Sequence, residues 1–586
     1  MVVAGQRNCG IIELNKRIVR KPLPSQPVGD LHSIPLLHSL YVLRGVREAS
    51  ELDLSLERLI PVSELNGVQP AVELLLQHYT KQSRIVIVGD FDTDGATSTA
   101  LMVRQLRRLG FKHVDFLVPN RFKFGYGLTP EIVKLASQSK PDLIITVDNG
   151  MSSISGVDCA NALGIQVLIT DHHLAGAELP RAIAIVNPNA PDNTFASKAL
   201  AGVGVAFYVM AGLTRAMQAQ GLVNAENTSV AALLDLVALG TVADVVPLDF
   251  NNRILVAQGL KRIRAGRCVP GIRAMLLAAN KRVETCVASD LGFQVGPRLN
   301  AAGRLDDMSL GIQCLLTDNE DQARITAAKL TQLNLDRRDI EQQMQAEAMI
   351  VLNDMQLNEE ALPLGLCLYD ESWHQGVVGL VASRIKERVH RPVIAMAKAD
   401  ECILKGSARS IPGVHIRDVL DAIAAHHPQM IDKFGGHAMA AGLSIQIQNL
   451  GAFQKAFDEE VQRWMTHDDA VGVVHSDGEL VADDFSLDTA RLLREAGPWG
   501  QNFPEPMFDG EFRVVESRVL GERHLKLKVQ VGEGTCEALA FRYFDHDDAV
   551  PIAVNDRVQL AYRLDINEYQ GVERVQMIVE QLQKLA

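Results

Sequence analysis

Four short apolar runs in the first half of this 586-residue chain lead into aspartate, and that repetition limits what the chain can fold into. IVIV (85–88) runs into Gly-Asp-Phe-Asp-Thr-Asp-Gly (89–95). LIITV (143–147) runs into Asp148-Asn149-Gly150, and VLIT (167–170) into Asp171-His172-His173. The fourth, GTVADVVPL (240–248), carries Asp244. Uninterrupted Val, Ile and Leu read as strands buried on both faces. Between them lie helical stretches, TSTALMVRQLRRLG (97–110) and the Pro-led TPEIVKLAS (129–137). Strands alternating with helices imply an α/β fold with a parallel sheet covered on both sides. Ligands of such sheets bind at the carboxyl ends of the strands, so the four polar tips are expected to converge there.

The tips specify a chemistry. Asp90, Asp92 and Asp94 alternate, so at least two of them share a face as the strand leaves the sheet. Read blandly, one such turn is acidic and Asp94 caps the next helix. Repetition at four tips counts against that reading. Strongly apolar strands need no aspartate to fold, and clustered like charges repel unless cations neutralise them. Carboxylates with one or two imidazoles suit Mn²⁺ or Mg²⁺ over a thiol-seeking metal. Five or more such ligands exceed one ion and fit a two-metal site, which supports in-line attack of an activated water on phosphorus.

Beyond the sheet the chain divides by texture. Residues 1–50 form an N-terminal extension with four prolines, and 51–318 the aspartate-rich domain. Residues 319–357 lack Pro and Gly and read as one long linking helix. A smaller α/β domain occupies 358–464, including LGLCLYD (364–370) and KFGGHAMAAG (433–442). From 465 to 586, FRVVESRVL, HLKLKVQV and DRVQLAYRLDI alternate apolar with polar residues, which predicts an antiparallel β-barrel, an OB-fold. Both α/β domains look complete before residue 470, so the barrel is expected to be dispensable for the cation site.

Composition excludes several classes. No run approaches the roughly 18 apolar residues of a membrane span, and the N-terminus lacks a signal-peptide core. The eight cysteines are scattered without a CxxC pair, which points to reduced thiols and the cytoplasm and away from a zinc ribbon. A net charge of −13 argues against a general nucleic-acid binder, although a local basic groove is compatible with it. Arg104, Arg107, Arg108, Lys112, Arg121 and Lys123 against Asp115 alone offer either a solvated helix face or such a groove. No P-loop is present, so no ATP-driven step is expected.

The tips Asp90 to Gly95, Asp148-Asn149-Gly150, Asp171-His172-His173 and Asp244 resemble the metal motifs of the DHH phosphoesterase superfamily. The resemblance implies two divalent cations, Mn²⁺ or Mg²⁺, with Asp92, Asp94, Asp148, His172 and Asp244 as direct ligands and catalytic residues. Asp90 and His173 would touch the metals or stand one layer out. Four further stretches narrow it: GPRLNAAGRLDD (296–307), WHQGVVGLVASRI (373–385), KGSARS (405–410) and FGGHAMAAG (434–442). They resemble the bacterial RecJ family, single-strand-specific 5′→3′ DNA exonucleases of repair and recombination, over about 50–586.

That family reading implies that Arg121, Arg304, Ser407 and Arg409 hold the phosphate at the 5′ end, which suits the paired donors of guanidinium. His437, after Gly435-Gly436, would donate to the scissile or an adjacent phosphate. His374 stays open between a contact and a core role. Phe122, Phe124 and Tyr126 are candidates for base stacking, and Lys526 and Lys528 for phosphate contacts. The implied partners are single-stranded DNA, single-strand-binding protein and a RecQ-type helicase, with no membrane and a monomeric enzyme. Gly497 to Phe503 departs slightly from the family pattern, which suggests a further glycine near the barrel boundary, and the departure puts nothing catalytic in doubt.

Two rival functions follow from the same motifs. A DHH phosphodiesterase on short oligonucleotides or cyclic dinucleotides would need neither the long helix nor the barrel. A non-catalytic DNA-binding replication scaffold would not need intact carboxylates at every tip.

Overall fold

The computed structural model describes residues 16–24, 28–119, 127–176, 178–354, 362–466, 469, 472–545, 550–569 and 571–585. The chain forms two units: residues 26–335 with 496–505, and residues 1–25, 336–495 and 506–586. Strands are numbered in chain order from β1 (Arg17–Arg20), which lies in the second unit.

The first unit is built on a five-stranded parallel sheet of β2 (Ile85–Gly89), β3 (Val114–Leu117), β4 (Leu143–Val147), β5 (Gln166–Thr170) and β6 (Ala184–Val186). The order is β3-β2-β4-β5-β6. β2 and β4 are buried along their whole length, as their unbroken apolar sequences require. The helix after β2 spans Thr93–Arg108 and starts inside the aspartate tip rather than at residue 97. Its cap is Asp92, whose carboxylate accepts the Gly95 N–H at 3.0 Å. Asp94, the expected cap, is thereby drawn into the first helical turn.

Asp244 is not at a strand tip. It closes the helix Leu234–Ala243, which is apolar on every side because it packs between the helices Thr93–Arg108 and Phe250–Arg264. A short apolar run does not distinguish a buried strand from a buried helix. The stretch Glu226–Ala243 has the length and apolarity of a membrane span. It is broken into Ala225–Thr228, Val230–Leu233 and Leu234–Ala243, and its apolar residues fill this core. Arg104 and Arg107 fasten the helix to its surroundings. Arg104 Nε donates to Leu315 O at 2.9 Å and its guanidinium pairs with Asp318 at 2.8 Å. Arg107 donates to Val114 O at 2.9 Å.

Ala496–Glu505 also belongs to this unit. Trp499 and Phe503 stack at 5.3 Å, with Tyr41 beside both. Arg44 lies 4.9 Å from the Trp499 ring and Arg253 4.4 Å from the Phe503 ring, distances at which a cation is attracted to the ring face. The unit is therefore not complete before residue 470. Nor do residues 1–50 form one separate extension: β1 lies in the second unit, and the helix Pro35–Leu43 in the first.

The long helix is continuous over Glu320–Asp354, and the division between units falls within it, after Leu335. The second unit holds a sheet of β7 (Leu366–Tyr369), β8 (Val393–Lys398), β9 (Ile403–Arg409), β10 (Lys433–Gly436) and β11 (Ala440–Gln446), ordered β10-β11-β9-β8-β7. Its core gathers Ile394, Leu404, Phe453 and Phe457. β1 pairs in parallel with β12 (Val473–Ser476). β13 (Phe508–Leu520), β14 (His524–Val531), β15 (Gly534–Ala540), β16 (Arg557–Tyr569) and β17 (Val572–Lys584) form a closed barrel. The barrel is antiparallel except at one seam, where β15 and β17 run parallel.

Helix Leu234–Ala243 reaches its place because Gly259 lets the next helix approach. A Cβ at Gly259 would collide with Leu234 O and Ala238 Cβ. Gly259→Ala is expected to cost about 1–3 kcal/mol, the usual range for overpacking. Calorimetry should show a lower Tm, and an unchanged Tm would mean the two helices have room to part.

Candidate metal centre

The cluster is assembled from backbone constraints. Both Asp94 oxygens accept N–H groups at the start of helix Gly202–Ala219, Oδ2 from Gly202 at 2.7 Å and Oδ1 from Val203 at 2.9 Å. A helix N-terminus favours a carboxylate in that position. Gly202 is required there, since a Cβ would stand 2.7 Å from Asp148 Oδ1. Asp148 leaves β4 in the left-handed region, φ +60, with its N–H bonded to Thr170 O at 3.0 Å. Asn149 braces this bend by donating to Val88 O at 3.1 Å and Val147 O at 2.8 Å. Left-handed aspartates are uncommon outside turns, and such strain persists where surrounding structure enforces it.

Asp171 has a different role. Its Oδ2 accepts the Met151 N–H at 2.9 Å, and its Oδ1 accepts the N–H groups of His172 (2.8 Å) and His173 (3.1 Å) and faces His173 Nδ1 at 2.8 Å. A carboxylate at Nδ1 favours the proton there and keeps the lone pair on Nε2, which is how metal-binding histidines are oriented. His172 Nε2 lies 3.1 Å from Asp148 Oδ1 and 3.5 Å from Asp244 Oδ2.

Three overlapping groups have potential ligand atoms within 4.8 Å of one another: Asp148, His172 and His173; Asp94, His172 and Asp244; Asp90, Asp92 and Asp148. Shared membership of Asp148 and His172 joins them into one cluster of seven side chains. It contains every residue that the sequence nominates as a metal ligand. Asp171 is outside these groups.

The electrostatics fit bound cations. Burial first, and then the neighbouring carboxylates, push Asp94 up to about 7 and hold Asp148 and Asp244 well above the usual carboxylate range. Asp244 Oδ2 is buried with no hydrogen-bond partner among the described residues. Asp171 goes the other way. Burial alone would raise it, but the hydrogen bond and charge of His173 and the Met151 N–H hold it below the usual range. An oxygen-rich donor set with imidazole and no thiolate suits Mn²⁺ or Mg²⁺.

Arg304 sits half-buried near the end of helix Gly296–Leu305. That helix is docked on the first tip. Thr93 N–H donates to Asn300 Oδ1 at 2.8 Å, and Gly303 lies so close to Phe91 O that no Cβ fits. Asn300 lies inside the GPRLNAAGRLDD stretch, where the sequence alone gives it no role. Ser407 and Arg409 lie in the second unit, two apart on β9 and so on one face. They meet over Gly379, where a Cβ would be 2.9 Å from Arg409 Nη2 and 3.3 Å from Ser407 Oγ. Gly379 is in the first turn of helix Val378–Val389, so a hydroxyl, a guanidinium and the start of a helix share one place. Sequence reading missed Gly379 as well.

His437 is exposed in the β10–β11 turn, with its N–H bonded to Ala440 O at 2.8 Å. His374 is exposed, so it has no core role, and its Nδ1 accepts the Gly376 N–H at 3.1 Å. Lys526 is paired with Glu537 at 2.9 Å, while Lys528 is exposed. Arg121, Phe122, Phe124 and Tyr126 fall outside the described residues.

Carboxylates and imidazoles gathered at the carboxyl edge of this sheet define a DHH-type metal-dependent hydrolase. Residues 84–241 match the DHH family, N-terminal domain; 363–463 match the DHHA1 domain; 476–581 match the RecJ OB domain. The chain is 53% identical to the single-stranded-DNA-specific exonuclease RecJ of Escherichia coli over 554 residues, covering 94% of this chain and 96% of that one. Identity to the Haemophilus influenzae RecJ is 48%, covering 98% and 100%. The Thermus thermophilus RecJ in complex with Mn²⁺ superposes with a TM-score of 0.79 at 29% identity, covering 97% of this chain and 79% of that one. Its Mg²⁺ complex gives 0.73 at 28%, covering 97% and 78%. The chain belongs to the RecJ family.

Two outcomes follow. The raised carboxyls bind more protons in the folded chain than in the unfolded chain between pH 3.8 and about 7, so their contribution to stability is lost as pH rises through that window. With chelator present, Tm should fall across it, and added Mn²⁺ should raise Tm more at the alkaline end. A flat chelated profile would mean that the folded chain does not raise these carboxyls. Asp171→Ala should weaken Mn²⁺ binding about 10–100-fold, as loss of a ligand's orienting partner does. Calorimetric titration giving an unchanged affinity would remove Asp171 from that role.

Proposed function

We propose that this chain is a divalent-cation-dependent exonuclease that removes nucleotides from the 5′ end of single-stranded DNA in repair and recombination. The observation that carries this is the seven-residue cluster, present in full in a RecJ-family chain. Asp90, Asp92, Asp94, Asp148, His172 and Asp244 are the residues that would hold two cations, Mn²⁺ or Mg²⁺. Bound there, the pair supplies an activated water and neutralises charge on the scissile phosphate.

The chain's own residues do the rest. The N-terminus of helix Gly202–Ala219 keeps Asp94 turned inward, and the bend at Asp148 aims its carboxylate back over the sheet edge. Asp171 fixes His173 so that its Nε2 faces the cluster, where it can bind a cation or pass a proton. Arg304 and Arg121 join in holding the phosphate at the 5′ end. Ser407 and Arg409, beside the first turn of helix Val378–Val389, take the 5′ phosphate, and His437 donates to the scissile or an adjacent phosphate. Polarity then comes from recognition of the strand end. The barrel guides the strand, with Lys528 among its phosphate contacts.

The functional division we propose is 51–318, 319–357, 358–464 and 465–586, with 496–505 reassigned to the first. Single-strand-binding protein and a RecQ-type helicase are the proposed partners, and the proposed state is a cytoplasmic monomer.

The direct test is digestion of end-labelled single-stranded and duplex DNA. Single strands should be shortened from the 5′ end with Mn²⁺ or Mg²⁺ and not with EDTA, and duplex should be spared. Asp148→Ala should lose about 10²-fold or more while still binding DNA. Initial release from the 3′ end, or equal digestion of duplex, would contradict the reading. Arg409→Ala should lower the preference for 5′-phosphorylated over 5′-hydroxyl strands. Both rates falling together would place Arg409 on the interior backbone instead.

A further inference from the structure

The turn Gly497–Phe503, without a role so far, touches the loop that follows Asp244. Gly500 N–H bonds Phe503 O at 2.9 Å, and Phe503 N–H bonds Gly500 O at 3.1 Å. Asn502 takes the left-handed position of this tight turn, φ +59, which asparagine tolerates better than most residues. The turn presents Gln501 O to the Leu248 N–H at 2.8 Å. Gly500 sits so close that a Cβ there would be 2.8 Å from Leu248 Cδ1.

The loop it holds is strained. Val245, directly after Asp244, is β-branched, 63% exposed and at φ +59. A β-branched residue keeps that conformation only where its surroundings impose it. One restraint is Asn252, whose Nδ2 donates to Pro247 O at 2.9 Å and Ala199 O at 2.8 Å. Gln501 is another, at the loop's far end. Behind the turn, Tyr41 Oη donates to Ala496 O at 3.0 Å and Arg44 Nε to Pro504 O at 2.7 Å, beneath the stacked Trp499 and Phe503.

We infer that the Gly497–Phe503 turn is a positioning element of the cation site: it holds the strained Asp244–Leu248 loop so that Asp244 stays turned into the cluster, with Trp499 and Phe503 as its anchors. Relaxation of Val245 to an ordinary φ would rotate the backbone beside Asp244. The inference rests on Asp244 being a cation ligand. It also makes a segment that lies between two stretches of the second unit a requirement for metal binding in the first.

The test is Mn²⁺ titration of the full chain by calorimetry, comparing Trp499→Ala, Trp499→Phe and Asp244→Ala, with single-strand binding measured in EDTA. Trp499→Ala should weaken Mn²⁺ binding about tenfold, in the range seen when ligand-supporting groups are lost. Trp499→Phe should restore most of it, DNA binding in EDTA should be unchanged, and excess Mn²⁺ should recover the nuclease rate. A lower Tm with unchanged Mn²⁺ affinity for Trp499→Ala, while Asp244→Ala is weakened, overturns the inference alone. Unchanged affinity in Asp244→Ala overturns the ligand assignment instead. If Trp499→Ala does not fold, Gly500→Ala, one methyl group against Leu248, carries the test with the same direction expected.

Discussion

Repulsion among buried carboxylates at the carboxyl edge of the parallel sheet is the constraint on which the rest of the first unit depends. Asp94, Asp148 and Asp244 are all pushed above their ordinary range, by burial first and then by neighbouring carboxylates. Removing such charges from water costs several kcal/mol each unless they are paired, protonated or bound to metal. A fold that gathers them must therefore hold them against their own repulsion until a cation arrives. Much of the local architecture serves that end.

The holding is done mostly by backbone. Two N–H groups of one helix secure Asp94, and glycines at 202 and 240 let the neighbouring helices come close enough to do it. A Cβ at Gly240 would stand 2.9 Å from Asp94 Oδ1. Asp148 is held in a left-handed bend, Val245 beside Asp244 in another. Strain of this kind lies next to the reactive groups and is offset by well-formed structure around it. Asp171 contributes differently. It stays charged because its donors are fixed, and it passes that order to both histidines.

The sequence made the sheet legible because its strands are buried on both faces, which leaves an unbroken apolar signature in β2, β4 and β5. It made the ligands legible because aspartate has no folding reason to recur at those tips. It misled at Asp244, where an all-round apolar helix wrote the same local pattern as a strand. It misled at Asp92 and Asp94, since which of two alternating aspartates caps a helix depends on where the first turn closes. Gly379 and Asn300 lie within recognisable motifs, but their roles are not legible there because they come from close approaches between elements distant in sequence. The turn at Gly497–Phe503 was least legible of all. Its partners, Tyr41, Arg44, Leu248 and Arg253, are hundreds of residues away, and no local periodicity encodes such a pairing.

The central claim is that seven side chains make one site for two cations. Anomalous diffraction from crystals soaked in Mn²⁺ measures this directly. Two peaks should appear inside the ring of Asp90, Asp92, Asp94, Asp148, His172, His173 and Asp244, about 3.5–4 Å apart as in other two-metal sites. A single peak there, or peaks elsewhere with the ring empty, would contradict the account.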